Sequence, residues 1–84
     1  MDKTIKCLLL DVDNVIITEI IELDAEIGQP DCKLINPYLF RSIDDMKPWP
    51  KATNQTELMV RSSDILTIAD PTSEVIEKYL ELTA

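Results

Sequence analysis

Apolar and β-branched residues dominate the first quarter of the chain and alternate in a way typical of strands. Cys7–Val12 is a short apolar run, and Val15–Leu23 is a second one in which neither alternating face is fully polar. Asp13-Asn14 lies between the runs, and both residue types suit a tight turn. The pattern predicts strands at about 5–12 and 15–24 that form a β-hairpin, with apolar neighbours on both faces of the second strand.

The following segment predicts a loop and then a bent third strand. The single glycine of the chain, Gly28, and the nearby Pro30 indicate the loop. Residues 32–40 have a strand pattern that is interrupted at Asn36-Pro37. Because proline lacks the N–H group that a strand ladder needs, we expect the third strand to bend or bulge at this dipeptide.

The segment after the third strand has no usable periodicity and predicts an irregular loop over residues 42–55. It contains Asp44-Asp45 and a Pro48-Trp49-Pro50 triplet. A loop of this length is unusual in a small domain. We expect either a functional loop or a flap that Trp49 holds against the core.

The last third of the chain predicts two short strands and a helix. Strands at 56–61 and 65–69 surround the polar turn Ser62-Ser63-Asp64 and are expected to form a second hairpin. Asp70-Pro71 is a typical helix start and predicts a helix at about 71–82. Its apolar stripe consists of Val75, Ile76, Tyr79 and Leu80.

These elements predict a single domain over residues 1–84 with a mostly β fold. The expected architecture is a strongly bent five-stranded antiparallel sheet or small open barrel with one C-terminal α-helix. The chain has 84 residues, of which 45% are hydrophobic. So small a domain buries only about 60–65% of its unfolded surface, so we expect the surplus aliphatic side chains to be covered by other copies.

The charge balance narrows the classes of function. The chain has 8 basic and 16 acidic residues, a net charge of -8, and no histidine. Double-stranded DNA is therefore not expected as a partner, because DNA affinity depends on many Lys and Arg contacts. The usual general base and the commonest transition-metal ligand are absent, so we expect no catalytic residues, metal or cofactor. Cys7 and Cys32 are expected to act as small hydrophobic core residues.

The sequence shows no secretory signal and no apolar run of the roughly 20 residues that cross a bilayer. We therefore expect a soluble cytoplasmic protein with no membrane partner.

An alternative interpretation of the first hairpin is enzymatic. Leu8–Ile16 resembles the first motif of the haloacid-dehalogenase superfamily, in which Asp11 would be the phosphoryl-accepting nucleophile and Asp13 the general acid/base beside Mg²⁺. Asp44-Asp45 could supply the distal acidic pair. That family needs helices between parallel strands, and a parallel crossover takes a dozen or more residues. The predicted strands follow one another too closely, which favours two turn aspartates over a phosphatase.

A second resemblance covers most of the chain. Val60–Ile68 resembles the second signature of the Sm and Sm-like proteins, and Leu10–Ile20 resembles the first. The order and spacing of the predicted strands agree, and the region around Leu34–Pro37 together with Tyr79 further resembles small Sm-like proteins of tailed phages, including those that infect cyanobacteria. In this sequence Ser62 replaces the usual glycine, Lys33 falls near the position of the RNA-contacting asparagine, and the helix follows the sheet.

The Sm-like resemblance implies a closed homo-oligomeric ring of roughly five to seven subunits, in which the fourth strand of one subunit pairs with the fifth of the next. It also implies binding of single-stranded RNA at loops that face the pore, through Arg61, Ser62 and Lys33. Arg61 could instead form an ion pair at the ring interface. The alternative function is an acidic scaffold ring that binds proteins and no RNA.

Overall fold

The computed structural model describes residues 4–11 and 13–84. In chain order, the secondary-structure elements are β1 (Ile5–Asp11), β2 (Asn14–Glu22), β3 (Cys32–Ser42), β4 (Asp45–Pro48), β5 (Glu57–Val60), β6 (Thr67–Ala69) and the helix α1 (Ser73–Thr83). The predicted fold class, a mostly β antiparallel fold with one C-terminal helix, is confirmed. Val12, the last residue of the first predicted strand, lies outside the described residues. No helix in the described part of the chain is long and apolar enough to cross a membrane.

The strands form one open antiparallel sheet in the order β4-β3-β2-β1-β6, and β5 pairs with the first half of β3. The sheet does not close into a barrel. The first predicted hairpin is confirmed as β1 and β2, in which Leu8 lies opposite Ile16. The outer edges of β5 and β6 consequently lie on opposite sides of the sheet.

Two details of the predicted topology are wrong. Residues 45–48, predicted as part of an irregular loop, form the additional strand β4, which pairs with the second half of β3. The two strands predicted as a second hairpin do not pair with each other, since β5 pairs with β3 and β6 pairs with β1. The intervening Ser62–Asp64 segment is a 3₁₀ turn between extended residues. It carries the chain across the open end of the sheet, which a hairpin turn would not do.

The expected irregularity of the third strand occurs at Asn36. Tyr38 lies opposite Ile17 and Ile35 lies opposite Glu19, so β3 has one more residue than β2 between these pairs. Asn36 has a φ of 52°, in the left-handed region that asparagine tolerates better than most residues. The result is a β-bulge in β3, as the Asn36-Pro37 dipeptide predicted.

The sheet buries apolar side chains on both faces, as the pattern of the second strand predicted. One core cluster contains Leu8, Ile16, Ile20, Cys32 and Leu34, with Trp49 packed against it. The other cluster, on the opposite face, contains Ile17, Met46 and Tyr79. Burial raises the pKa of both cysteine thiols, which agrees with their expected role in the core.

The helix α1 is attached to the sheet mainly through Tyr79. The Tyr79 hydroxyl accepts a hydrogen bond from the backbone N–H of Glu19 and donates to the carbonyl oxygens of Ile35 and Asn36. Its ring makes an edge contact with Tyr38 at a centroid distance of 5.8 Å. The bulge thus exposes backbone groups that the helix then satisfies.

The helix begins two residues later than predicted. Thr72 is its N-cap, and the Thr72 hydroxyl accepts a hydrogen bond from the backbone N–H of Val75 at 3.3 Å. Asp70, the predicted cap, instead forms an ion pair with Lys6 of β1. Both Asp and Thr are good caps, and in this structure Thr72 caps the helix while Asp70 contacts Lys6.

Candidate functional site

The 3₁₀ turn that contains two of the predicted RNA-binding residues is attached to the loop before β3. The backbone N–H and the hydroxyl of Ser62 donate hydrogen bonds of 2.7 Å to the two carboxylate oxygens of Asp31. The bond from the Ser62 hydroxyl, followed by that from its backbone N–H, lowers the pKa of Asp31. The donors of Ser62 are therefore occupied within the chain.

Arg61 also has a carboxylate partner close by. Its Nε donates to the carboxylate of Asp64 at 2.9 Å, and both side chains are half-exposed. The positive charge of Arg61 is therefore partly neutralised within its own turn. An ion pair so exposed contributes little to stability, so Arg61 can exchange Asp64 for another anion.

Lys33 lies within β3, where it is paired with Ile21 of β2 on one side and with Met59 of β5 on the other. Its ammonium group forms an ion pair with Glu57 of β5. The structure therefore places Lys33 on the same strand pair that leads into the Arg61 turn. All three predicted RNA-binding residues, Lys33, Arg61 and Ser62, interact with a carboxylate of the same chain.

A concave opening of about 660 Å³ lies where the sheet fails to close. It reaches from Ile68 of β6 to the end of β2 and the Asp31–Ser62 contact. The wall combines apolar side chains, including Ile20 and Ile68, with Lys6, which is paired with Asp70. The opening leads to the first core cluster, and within the described residues no three Cys, Asp or Glu side chains converge to form a metal-binding group.

The residues of the phosphatase interpretation form a hairpin turn. One Asp11 carboxylate oxygen accepts hydrogen bonds from the backbone N–H groups of Asp13 and Asn14. The Asn14 side-chain amide also donates to Asp11, and this bond is the main cause of its lowered pKa. The strand pairs among the described residues are antiparallel, unlike the parallel sheet of the haloacid-dehalogenase superfamily.

The outer edges of β5 and β6 are the second candidate surface. Met59 in β5 and Ile68 in β6 are half-exposed, and Leu66, just before β6, is more exposed still. The strand β6 has no charged residue, and the single charged residue of β5, Glu57, is paired with Lys33. Edge strands with large apolar side chains and few charges favour pairing with another chain.

Trp49 packs against the first core cluster, one of the two outcomes predicted for its segment, and the surface around it is a third candidate site. Residues 36–38, 48–50 and 53–56 line a groove of about 230 Å³, whose chief lining residues are Pro37, Tyr38, Pro48, Trp49, Pro50 and Thr56. We name it the Trp49 cleft. The backbone N–H of Trp49 donates to the carbonyl oxygen of Pro37 at 2.9 Å. The sequence feature that marks this surface is Trp49 between Pro48 and Pro50, which follow the strand β3 with its own Pro37.

Residues 3–84 match a family described as "Family of unknown function (DUF6561)". Comparison with curated proteins gives no match.

Proposed function

The chain belongs to DUF6561, a family of unknown function, and on that premise we propose a function from its geometry. The protein is a non-enzymatic chain that associates with itself into a ring of the Sm-like type. The acidic ring is a scaffold that binds other proteins.

The observation that carries this proposal is the position of the two strand edges. The uncovered edges of β5 and β6 lie on opposite sides of one open sheet, and each carries a half-exposed aliphatic side chain. Two different edges on one chain allow a head-to-tail contact, which forms a ring when the rotation closes. Each copy in such a ring would cover Met59 and Ile68.

The charges favour proteins over RNA as partners of the ring. Each subunit contributes a net charge of -8. Lys33 and Arg61 are the basic residues of the proposed RNA site, and each is paired with an acidic side chain. A ring multiplies the negative charge by its subunit number, so a nucleic acid would meet a repelling field.

A cytoplasmic location is part of the proposal. Cys7 and Cys32 are free thiols. Free thiols are typical of a reducing compartment.

Binding of single-stranded RNA is the second proposal, and one observation favours it. Arg61 is exposed on a concave surface of about 520 Å³ that Gly28, Pro30 and Met59 also line. An exposed Arg61 could release Asp64 and stack on a base.

The experiment for self-association is a measurement of molar mass by light scattering after size exclusion. The wild-type protein should have a mass of several multiples of the 9.6 kDa chain. Met59→Lys and Ile68→Lys should each give monomers, because a lysine on an edge strand opposes pairing. Leu80→Lys, a change at an exposed leucine of α1, is the matched control and should assemble. A wild-type monomer at micromolar concentration would contradict the proposal.

The RNA proposal has its own experiment. Fluorescence polarisation with U-rich and A-rich single strands at low salt should show binding that Arg61→Ala weakens. No binding at micromolar ring, or binding unchanged in Arg61→Ala, would reject an RNA role and leave the scaffold proposal intact.

A further inference from the structure

The loop before β3 carries an isoleucine at its tip. Residues 23–31, here called the Ile27 loop, connect β2 to β3, and Ile27 is fully exposed. The loop is nevertheless held at both its base and its tip. The backbone N–H of Leu23 donates to the backbone carbonyl oxygen of Asp31, and that of Gln29 donates to the backbone carbonyl oxygen of Glu26. Backbone hydrogen bonds therefore set the position from which the loop presents one aliphatic side chain to water.

The Trp49 cleft has the opposite shape. Trp49 is half-buried, and its indole N–H makes no hydrogen bond within residues 4–11 and 13–84. Because no buried side-chain donor in the described residues is left unpaired, this N–H faces solvent. The groove of about 230 Å³ is smaller than the ~300–1,000 Å³ of typical small-molecule sites. The size of the groove and its proline and aromatic walls suit one or two aliphatic side chains. A backbone carbonyl group next to them would accept a hydrogen bond from the indole N–H of Trp49.

The two surfaces also differ in charge. Residues 32–56 hold four of the eight basic residues but two of the sixteen acidic ones. Lys47 and Lys51 flank the Pro48–Pro50 triplet, and Lys51 forms no ion pair with the described part of the chain. The Ile27 loop contains Asp24, Glu26 and Asp31 and no basic residue. Opposite charges around a matched apolar contact favour association and fix its register.

Antiparallel pairing of β5 with β6 of a second copy would bring the two surfaces to the same end of the proposed interface. β5 begins at Glu57, beside the Trp49 cleft. β6 ends at Ala69, opposite Cys7, which is the end of the sheet from which the Ile27 loop projects. If β5 of one copy pairs antiparallel with β6 of the next, the start of β5 meets the end of β6. The Ile27 loop of that neighbour then projects toward the cleft.

We propose that the Trp49 cleft of one copy binds the Ile27 loop of a second copy, with Ile27 against Trp49 and Glu26 near Lys51. This inference rests on the proposed self-association and identifies a second contact within it. The contact is head-to-tail, like the pairing of β5 with β6, so both can act in one closed ring.

Trp49 is the single tryptophan of the chain and reports directly on the cleft. Dilution of the wild-type protein should shift its fluorescence to longer wavelength as the ring dissociates. Ile27→Ser should raise the midpoint concentration of assembly about tenfold or more and abolish the shift. The light-scattering mass, measured at the same concentrations, tracks assembly independently.

Charge reversal makes the test specific. Glu26→Lys and Lys51→Glu should each weaken assembly by about tenfold, and the double variant Glu26→Lys/Lys51→Glu should recover most of the loss. Glu81→Lys makes the same charge change on the exposed face of α1 and should assemble as the wild type does. Recovery in the double variant cannot come from a folding defect.

The outcomes separate the two proposals. A wild-type protein that assembles, with Ile27→Ser and Glu26→Lys unchanged and Trp49 fluorescence independent of concentration, would overturn this contact and leave the pairing of strand edges standing. A wild-type monomer would overturn the self-association and this contact together.

Discussion

The Arg61 turn and the Trp49 cleft lie on either side of β5, one after it and one before it, and they are held in opposite ways. The turn depends on exposed polar contacts, from Ser62 to Asp31 and from Arg61 to Asp64. The cleft depends on apolar packing, because Trp49 lies against the first core cluster. Arg61 and Ser62 of the turn have partners within the chain, whereas within the described residues the Trp49 indole N–H and Lys51 have none. The difference shows that a polar irregular segment can have its hydrogen-bonding groups already paired within the chain. A more apolar segment can keep donors that are open to a partner.

The largest effect should come from removal of the tryptophan. Trp49→Ala should lower the free energy of unfolding by about 2–3 kcal/mol, because it removes a large side chain packed on the core. Urea denaturation at a concentration where the wild type is monomeric measures the change. Under the same conditions Ile27→Ala should change stability by less than about 0.5 kcal/mol, since Ile27 is fully exposed. An equal loss in both variants would contradict the comparison.

Tyr79→Phe tests the region where the helix meets the bulge next to the cleft. We expect a loss of about 1–2 kcal/mol, because the Glu19 N–H and the carbonyls of Ile35 and Asn36 lose the hydroxyl they bond. Tyr38→Phe is the matched control, since the Tyr38 hydroxyl makes one exposed bond of 3.3 Å to Leu82. The control should lose less than half as much stability in the same denaturation experiment.

On the other side of β5, Ser62→Ala should cost about 0.5–1 kcal/mol. The variant loses the hydroxyl bond to Asp31 but keeps the backbone N–H bond. Ser63, one residue later in the same turn, forms no side-chain hydrogen bond among the described residues. Ser63→Ala should therefore leave the free energy of unfolding unchanged. Equal urea midpoints for the two variants would mean that the Asp31 contact does not hold the turn.

The same contact should appear in the dependence of stability on pH. The pKa of Asp31 is lowered by its bonds to Ser62, so its contribution is fully present above the unfolded value of about 3.9 and is lost as pH falls through the folded value. Between pH 5 and pH 2.5 the wild type should therefore lose more stability than Ser62→Ala does. Urea midpoints at the two pH values give the difference, and parallel losses would argue against the lowered pKa.

The smallest effect is expected at Arg61. Arg61→Ala should change the free energy of unfolding by less than about 0.5 kcal/mol, because its ion pair with Asp64 is exposed. The change should shrink further in 0.5 M salt. A loss as large as that of Trp49→Ala would show that the Arg61 turn, too, depends on buried contacts.

The fold class could be predicted because local patterns in the chain agree with it. The apolar runs on either side of Asp13-Asn14 pair as expected, and the irregularity at Asn36-Pro37 was visible as an interrupted strand. The pairing of β5 and β6 could not be predicted, since Ser62-Ser63-Asp64 is equally compatible with a hairpin turn and with a 3₁₀ turn held by Asp31. The strand β4 was missed because its four residues are too few to show a period.

The candidate sites were less predictable than the fold. The Sm-like resemblance identified Lys33, Arg61 and Ser62 as RNA-binding residues, and that role stays a prediction. Lys33 pairs with Glu57 and Ser62 bonds to Asp31, and both contacts depend on which strands and loops are neighbours in space. Arg61 pairs with Asp64 inside its own turn. Residue type indicates that a charge is present, and the tertiary structure decides whether it is already paired.

The bulge at Asn36 also sets which side of the sheet each later residue of β3 occupies. Leu34 and Leu39 belong to one core cluster although they are five positions apart, and Tyr38 and Phe40 belong to the other. In a regular strand an odd separation would put Leu34 and Leu39 on opposite faces. Asn36 therefore reverses the parity of the strand. The same sequence in a regular strand, without the bulge, would present Tyr38 and Phe40 to the wrong face, and α1 would lose the surface on which it docks.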